Sequence, residues 1–138
     1  MLRCDTAAAA EAAAALAPPA GLPPVAGMVN SGGILQDAVL TAQTAASLRA
    51  VAAPKLASAA ALLHAGAHQP LQQLVLFSSA ASLFGAPGQS NYAAASAALE
   101  GWAAGSSARG VSSVAIQWGA WAAGALFSMH WARVGSVP

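Results

Sequence analysis

The sequence predicts an α/β fold built on a parallel sheet, and three observations carry that expectation. Short apolar runs at residues 25–29, 71–77 and 111–118 each end in a turn rich in glycine, serine or asparagine. Long alanine-rich stretches at about 42–67 and 91–106 separate them. An order of strand, helix, strand, helix, strand with short apolar strands is the pattern of parallel strands joined by helical crossovers. In such sheets ligands bind beyond the carboxyl ends of the strands. Asn30-Ser31-Gly32, Ser78-Ser79 and Gly119-Ala120-Trp121 all fall at those ends, so three separated segments point to one rim.

Each element has a local reason. Residues 7–17 are almost all alanine, the strongest helix former, and Pro18-Pro19 and Gly21 end that helix. The run 25–29 enters the turn Asn30-Ser-Gly-Gly33 and reads as a buried strand. The stretch 42–67 is helical by composition, and Pro54 is a position that can break it. Residues 71–77 alternate and then become fully apolar up to Ser78-Ser79, a second strand. Residues 91–106 suit a helix that Gly110 stops, with Ser90 or Asn91 as its cap. The third strand, 111–118, closes at Gly119.

A chain of 138 residues is one domain at most. Charged residues make up 7% against the usual quarter, so long faces of this chain need other protein to cover them. The net charge is +1 and no basic patch with interleaved aromatics occurs, which argues against nucleic acid. No window offers the roughly 18 continuous apolar residues of a membrane span, because Gln, Ser, Gly and Pro interrupt every long run. Asp5 and Glu11 spoil a secretory or transit signal, so a cytoplasmic location is the default. The single cysteine, Cys4, rules out an internal disulfide and a multi-cysteine zinc site. His64 and His68 have a spacing that can bind metal, but no third ligand accompanies them, so no metal site is assigned.

The chemistry concentrates in Leu76-Phe-Ser-Ser-Ala-Ala-Ser-Leu-Phe-Gly-Ala-Pro-Gly-Gln-Ser-Asn-Tyr92, which holds the only tyrosine thirteen residues after Ser79. The glycine- and proline-broken loop hinges a strand end onto a helix start, bringing hydroxyl and phenol towards one site. A free phenol titrates at about 10, and a nearby ammonium is expected to pull it down towards neutrality. Tyr92 would then give a proton to a developing alkoxide, and Ser79 would donate to the same oxygen. Reduction of a ketone is the reading this pair supports. As bland alternatives, Tyr92 could be packing, Ser79 a turn residue, and Trp102 core; Trp118 and Trp121 flank the rim but suit core stacking equally well.

The segments also resemble, in order and spacing, the ketoreductase domains of modular polyketide and animal-type fatty acid synthases, in the short-chain dehydrogenase/reductase superfamily. The resemblance covers about residues 2–121. Gly27-Met-Val-Asn-Ser-Gly-Gly-Ile-Leu-Gln-Asp-Ala-Val-Leu40 looks like that family's strand-four segment, and Val51-Ala-Ala-Pro-Lys-Leu56 its lysine helix. Residues 76–99 resemble its Ser–Tyr segment, and Val114-Ala-Ile-Gln-Trp-Gly-Ala-Trp121 its strand six. The superfamily's usual lysine four residues after the tyrosine is replaced here by Ser96, and Lys55 stands on an earlier helix, twenty-four residues before Ser79. Synthase ketoreductases make that exchange, with asparagine at the position of Ser96.

The resemblance implies a Rossmann-like doubly wound sheet, NADPH as cofactor, and a β-ketoacyl thioester on acyl carrier protein as substrate, with other synthase domains as partners. It implies Tyr92, Ser79, Lys55 and Ser96 as catalytic residues. Asp5, Asn30, Ser31, Gly32, Lys55, Tyr92, Gly119 and Trp121 would face the cofactor, with Asp5 at the adenine. Leu35-Gln36-Asp37 occupies the place of a Leu-Asp-Asp stereochemical signature, and Phe84 stands where the opposite class has tryptophan; both lean towards the Leu-Asp-Asp product class. The glycine-rich phosphate turn and the first two strands are expected upstream of this segment. Residues 1–138 thus read as a single partial domain, with an apolar edge on strand four and 122–138 opening a substrate lid. A non-catalytic remnant that packs against other synthase domains is the alternative.

Overall fold

A computed structural model describes residues 4–17, 21–107 and 110–120. Helix α1 (Ala9–Leu16) leads to strand β1 (Gly27–Asn30), then helices α2 (Ala45–Ala52) and α3 (Ser58–Ala65). Strand β2 (Gln73–Ser79), a short helix α4 (Ala81–Phe84), helix α5 (Ser90–Ser107) and strand β3 (Ser112–Trp118) complete it. The three strands are parallel in the order β1-β2-β3. The expected Rossmann-like α/β arrangement is what the chain adopts, and parallel pairing places all three strand ends on one side.

Register explains where the core lies. Met28 pairs with Leu74, and Leu76 pairs with both Asn30 and Ala115, so these side chains share one face of the sheet. Leu16 of α1, Ala59 of α3, and Leu99 and Ala103 of α5 pack against that face to form the core. Leu74, Leu76 and Leu99 are at most 1% exposed.

The opposite face is apolar too. Val29, Val75 and Val114 lie in one row across the three strands, and Phe77 and Ile116 in the next. Val29 is 61% and Val114 48% exposed. Parallel sheets normally have both faces covered. The sequence pointed to an uncovered edge; among the described residues the structure leaves a whole sheet face open as well.

The 24 residues from Ala45 to His68 form a nearly continuous helical rod, long and apolar enough by length and composition to cross a membrane, which the interrupted sequence did not suggest. Its inner face packs on α5 and carries the buried Lys55 towards the sheet, while most of the rod's surface is not buried. Thr44 and Ser47 close a reciprocal capping box at its start. At Pro54 the rod does not break. It widens into a π-turn over Ala53–Ala57, in which the Ser58 N–H reaches back to the Ala53 carbonyl. Proline supplies no N–H and crowds the carbonyl four residues back; one wider turn absorbs both effects.

The two faces predict opposite responses to substitution. Leu76→Ala is expected to cost about 2–5 kcal/mol in chemical denaturation. Val114→Thr, on the open face, is expected to change stability by less than about 1 kcal/mol while raising the soluble yield.

Candidate active site

The π-turn is what turns Lys55 inwards. Its side chain is 2% exposed, and Nζ donates to the Phe77 carbonyl of β2 at 2.9 Å. The amine also lies 4.6 Å from the centroid of the Tyr92 ring. Asn30, at the end of β1, is buried and fixes the other side of this turn: its Nδ2 donates to the Lys55 carbonyl at 3.1 Å. Its Oδ1 accepts from the Gly32 N–H at 3.1 Å. Asn30 therefore ties strand end, glycine turn and lysine helix together with one side chain.

Glycine is required at position 32. A Cβ there would stand 2.7 Å from the Pro54 carbonyl oxygen, backbone against backbone. Position 33 is close to the site itself: a Cβ would meet Lys55 Cε at 3.6 Å and Tyr92 Cε2 at 3.9 Å. Ser31 is exposed beside them on the rim.

Tyr92 sits in the first turn of α5, half-buried. The connection from Ser79 contains α4, which the sequence reading missed, and then Gly85 and Gly88 with φ of 72° and 74°. Three bonds dock this connection on the segment after β1. The Ala38 N–H donates to the Gly88 carbonyl at 2.9 Å, Gln89 Nε2 to Asp37 Oδ2 at 3.1 Å, and Asn91 Nδ2 to the Gln36 carbonyl at 2.8 Å. Asn91 also accepts from the Tyr92 N–H at 2.7 Å. The residue read as a helix cap is thus a tie between two loops, and it holds the tyrosine's backbone. Ser79 is buried at the end of β2; its Oγ accepts the Ala81 N–H at 3.2 Å and interacts with the Tyr92 phenol.

The electrostatics differ from the expectation. Burial lowers the Lys55 pKa from an ordinary 10.5 to about 8. Burial pushes the Tyr92 phenol above its usual value, and the hydrogen bond with Ser79 offsets part of that rise. The lysine does not pull the phenol down because its amine faces the ring and the Phe77 carbonyl. It has also lost its proton before the phenol begins to titrate.

Ser96, one helical turn beyond Tyr92, is fully buried, and its Oγ has no hydrogen-bond partner among the described residues. Asp5 lies in the turn ahead of α1, where its Oδ1 accepts the Ala7 N–H at 2.9 Å. The adjacent Thr6 hydroxyl is 2.6 Å from that of Ser58, on the helix that follows Lys55. Gly119 is exposed just past β3. Trp118 packs on Phe77 with centroids 5.2 Å apart and the rings tilted by 46°. Trp121 and the expected lid over 122–138 lie outside the described residues.

One cluster escaped the sequence reading. Glu100 of α5 accepts from Ser78 Oγ at 2.7 Å, Ser82 Oγ at 2.5 Å and Gln117 Nε2 at 3.0 Å. The available signal was its isolation, since no other charge occurs between Lys55 and Arg109.

Two predictions follow from this geometry. Gly32→Ala is expected to lose on the order of 1–3 kcal/mol in denaturant titration, because neither backbone can yield. Between pH 8 and about 10.5 the unfolded Lys55 holds a proton that the folded one has released, so stability rises with pH across that window. Above pH 10 the folded Tyr92 keeps a proton that the unfolded one loses, and stability falls again. Melting curves should show a maximum near pH 10, with a rise of roughly 1–2 kcal/mol after solvent screening that Lys55→Met removes.

Comparison with known proteins agrees with this geometry. A family model described as a KR domain matches residues 1–123. Over 87 residues, 63% of this chain, it is 45% identical to polyketide synthase GfsA of Streptomyces halstedii, of which it covers 1%. The same extent and identity hold for the phthioceranic/hydroxyphthioceranic acid synthase of Mycobacterium tuberculosis strain H37Rv, of which it covers 4%. Among solved structures, the PlmKR1 ketoreductase from the first module of phoslactomycin biosynthesis in Streptomyces sp. HK803 superposes over 96% of this chain and 31% of its own, with a TM-score of 0.87 and 30% identity. A-type ketoreductases from a modular polyketide synthase superpose over 88% and 26%, with a TM-score of 0.83 and 34% identity. The chain therefore spans about a third or less of these solved ketoreductases and a small fraction of these synthases. With that match over most of its length, the chain belongs to the KR family, the ketoreductase domains of polyketide synthases within the short-chain dehydrogenase/reductase superfamily.

Proposed function

We propose that this chain carries the catalytic part of an NADPH-dependent reductase, acting on a β-ketoacyl thioester held by acyl carrier protein within a polyketide or fatty acid synthase. The convergence of Ser79, Tyr92 and Lys55 from a strand end, a helix start and a π-turn is the observation that carries the reading. Ser79 donates a hydrogen bond to the substrate carbonyl oxygen and orients it. Tyr92 gives that oxygen its proton as the carbonyl carbon becomes a carbinol, and the raised phenol pKa keeps the proton in place at neutral pH. Lys55, anchored on the Phe77 carbonyl, holds the tyrosine ring in position.

The residues present fit the nicotinamide end of the cofactor. Glycine at 33 leaves the space beside Lys55 and Tyr92 free of a side chain, and the buried Ser96 hydroxyl keeps hydrogen-bonding capacity. Lys55, Tyr92, Asn30, Ser31, Gly32 and Gly119 would hold that end, with Asp5 towards the adenine. Bound there, NADPH supplies the hydride. No glycine-rich phosphate turn occurs in these 138 residues, so the pyrophosphate must be held by other residues. The second reading, a non-catalytic remnant packed among synthase domains, is favoured by Ser96 in place of asparagine.

Oxidation of NADPH by a β-ketoacyl thioester, measured on the complete reductase domain that contains this chain, separates the two. The expected result is turnover that Tyr92→Phe lowers by about 10²–10⁴-fold and that Ser96→Asn raises. A folded, NADPH-binding domain with no turnover, unrescued by Ser96→Asn, favours the remnant.

A further inference from the structure

The cluster around Glu100 begins one residue before Ser79, at Ser78. It joins three elements to α5 through one carboxylate oxygen. Ser78 and Ser82 flank Ser79 in sequence, at the end of β2 and in α4, and Gln117 lies on β3 opposite Ser78 in the sheet register. Each serine has a single hydroxyl proton and two acceptors in range. Ser78 reaches the Ser96 carbonyl at 3.1 Å as well as Glu100, and Ser82 reaches the Ser79 carbonyl at 2.7 Å as well as Glu100. The Gln117 amide also lies 3.3 Å from the Ser82 hydroxyl. Every described partner of Glu100 is a neutral donor. Charge-assisted bonds of this kind are roughly twice as strong as neutral ones, and together they hold the carboxyl below its ordinary pKa despite the opposing effect of burial.

The consequence for geometry is direct. Ser79 belongs to β2 and Tyr92 to α5, and no covalent link shorter than the α4 connection fixes one against the other. Glu100, two turns after Tyr92 on the same helix, grips the residues on both sides of Ser79. We propose that Glu100 is a positioning residue that locks the Ser79 turn onto α5, so that the Ser79 hydroxyl stays directed at Tyr92. This role rests on the reading of Ser79 and Tyr92 as a reacting pair.

Because the chain has one tyrosine, its phenol can be titrated by tyrosinate absorbance without activity being needed. Ser79→Ala sets the reference, since losing its hydrogen bond should raise the Tyr92 midpoint measurably. Glu100→Leu is expected to reproduce at least half of that rise, and Ser82→Ala a smaller rise in the same direction. Glu100→Gln keeps an acceptor oxygen in place and should restore most of the parent value. A purely structural role would lower the melting temperature without moving the midpoint of the folded protein. The proposal is overturned if Ser79→Ala shifts the midpoint while Glu100→Leu and Ser82→Ala, both folded, leave it at the parent value. Should Glu100→Leu not fold, Ser82→Ala decides alone. A midpoint unmoved by Ser79→Ala instead overturns the serine–tyrosine pairing, and with it both the reductase reading and the role of Glu100.

Discussion

The burial of one amine organises this molecule. Lys55 can reach the Phe77 carbonyl only because the helix widens at Pro54, and it can be accommodated only because Gly32 lets β1's turn approach that widened backbone. Asn30 then closes the arrangement by bonding to both. An unpaired buried ammonium would be costly; here a carbonyl and an aromatic face receive the group, and its pKa falls until neutrality becomes accessible. Proline, glycine, asparagine and lysine at these four positions make one structural statement.

That arrangement assigns a division of labour. The lysine lies under the tyrosine ring, and at neutral pH it brings its positive charge to the ring face. Tyr92 keeps its proton firmly, which suits a donor to a strongly basic alkoxide. Ser79 provides the interaction that works in the other direction, lowering the phenol's pKa. The loop ties through Gly88, Gln89 and Asn91 set the start of α5, and the carboxylate of Glu100 sets its middle. Between them the helix bearing the phenol is held at two points against the strand bearing the hydroxyl.

Much of this was legible in the residues. The three strands end where Asn30, Ser79 and Gly119 announce a turn, because short apolar runs bounded by small residues leave little freedom in a parallel sheet. Tyr92, the only tyrosine, and Ser79 could be singled out by spacing, and Lys55, the only lysine, by the resemblance to synthase ketoreductases. What escaped were effects that depend on three-dimensional neighbours. Proline signals an interrupted helix, but whether the helix breaks or widens depends on what Lys55 gains by turning inwards. The helix α4 is four residues long and lies in a stretch whose glycines and proline read as loop. The direction of the Tyr92 shift required knowing that the amine faces the ring, and Glu100's partners come from elements distant in sequence.

The open sheet face follows the same logic at a larger scale. Val29, Val75 and Val114 alternate with core residues, as they must in a sheet covered on both sides, and the chain spans about a third or less of the solved ketoreductases it resembles. The buried lysine can be tested without the rest of such a domain. As the chain has a single lysine, an NMR titration of its labelled side chain reports on Lys55 alone. A midpoint near pH 8 is the result predicted for an amine sealed beneath Tyr92; a midpoint near the ordinary 10.5 would place the amine in water and contradict the account.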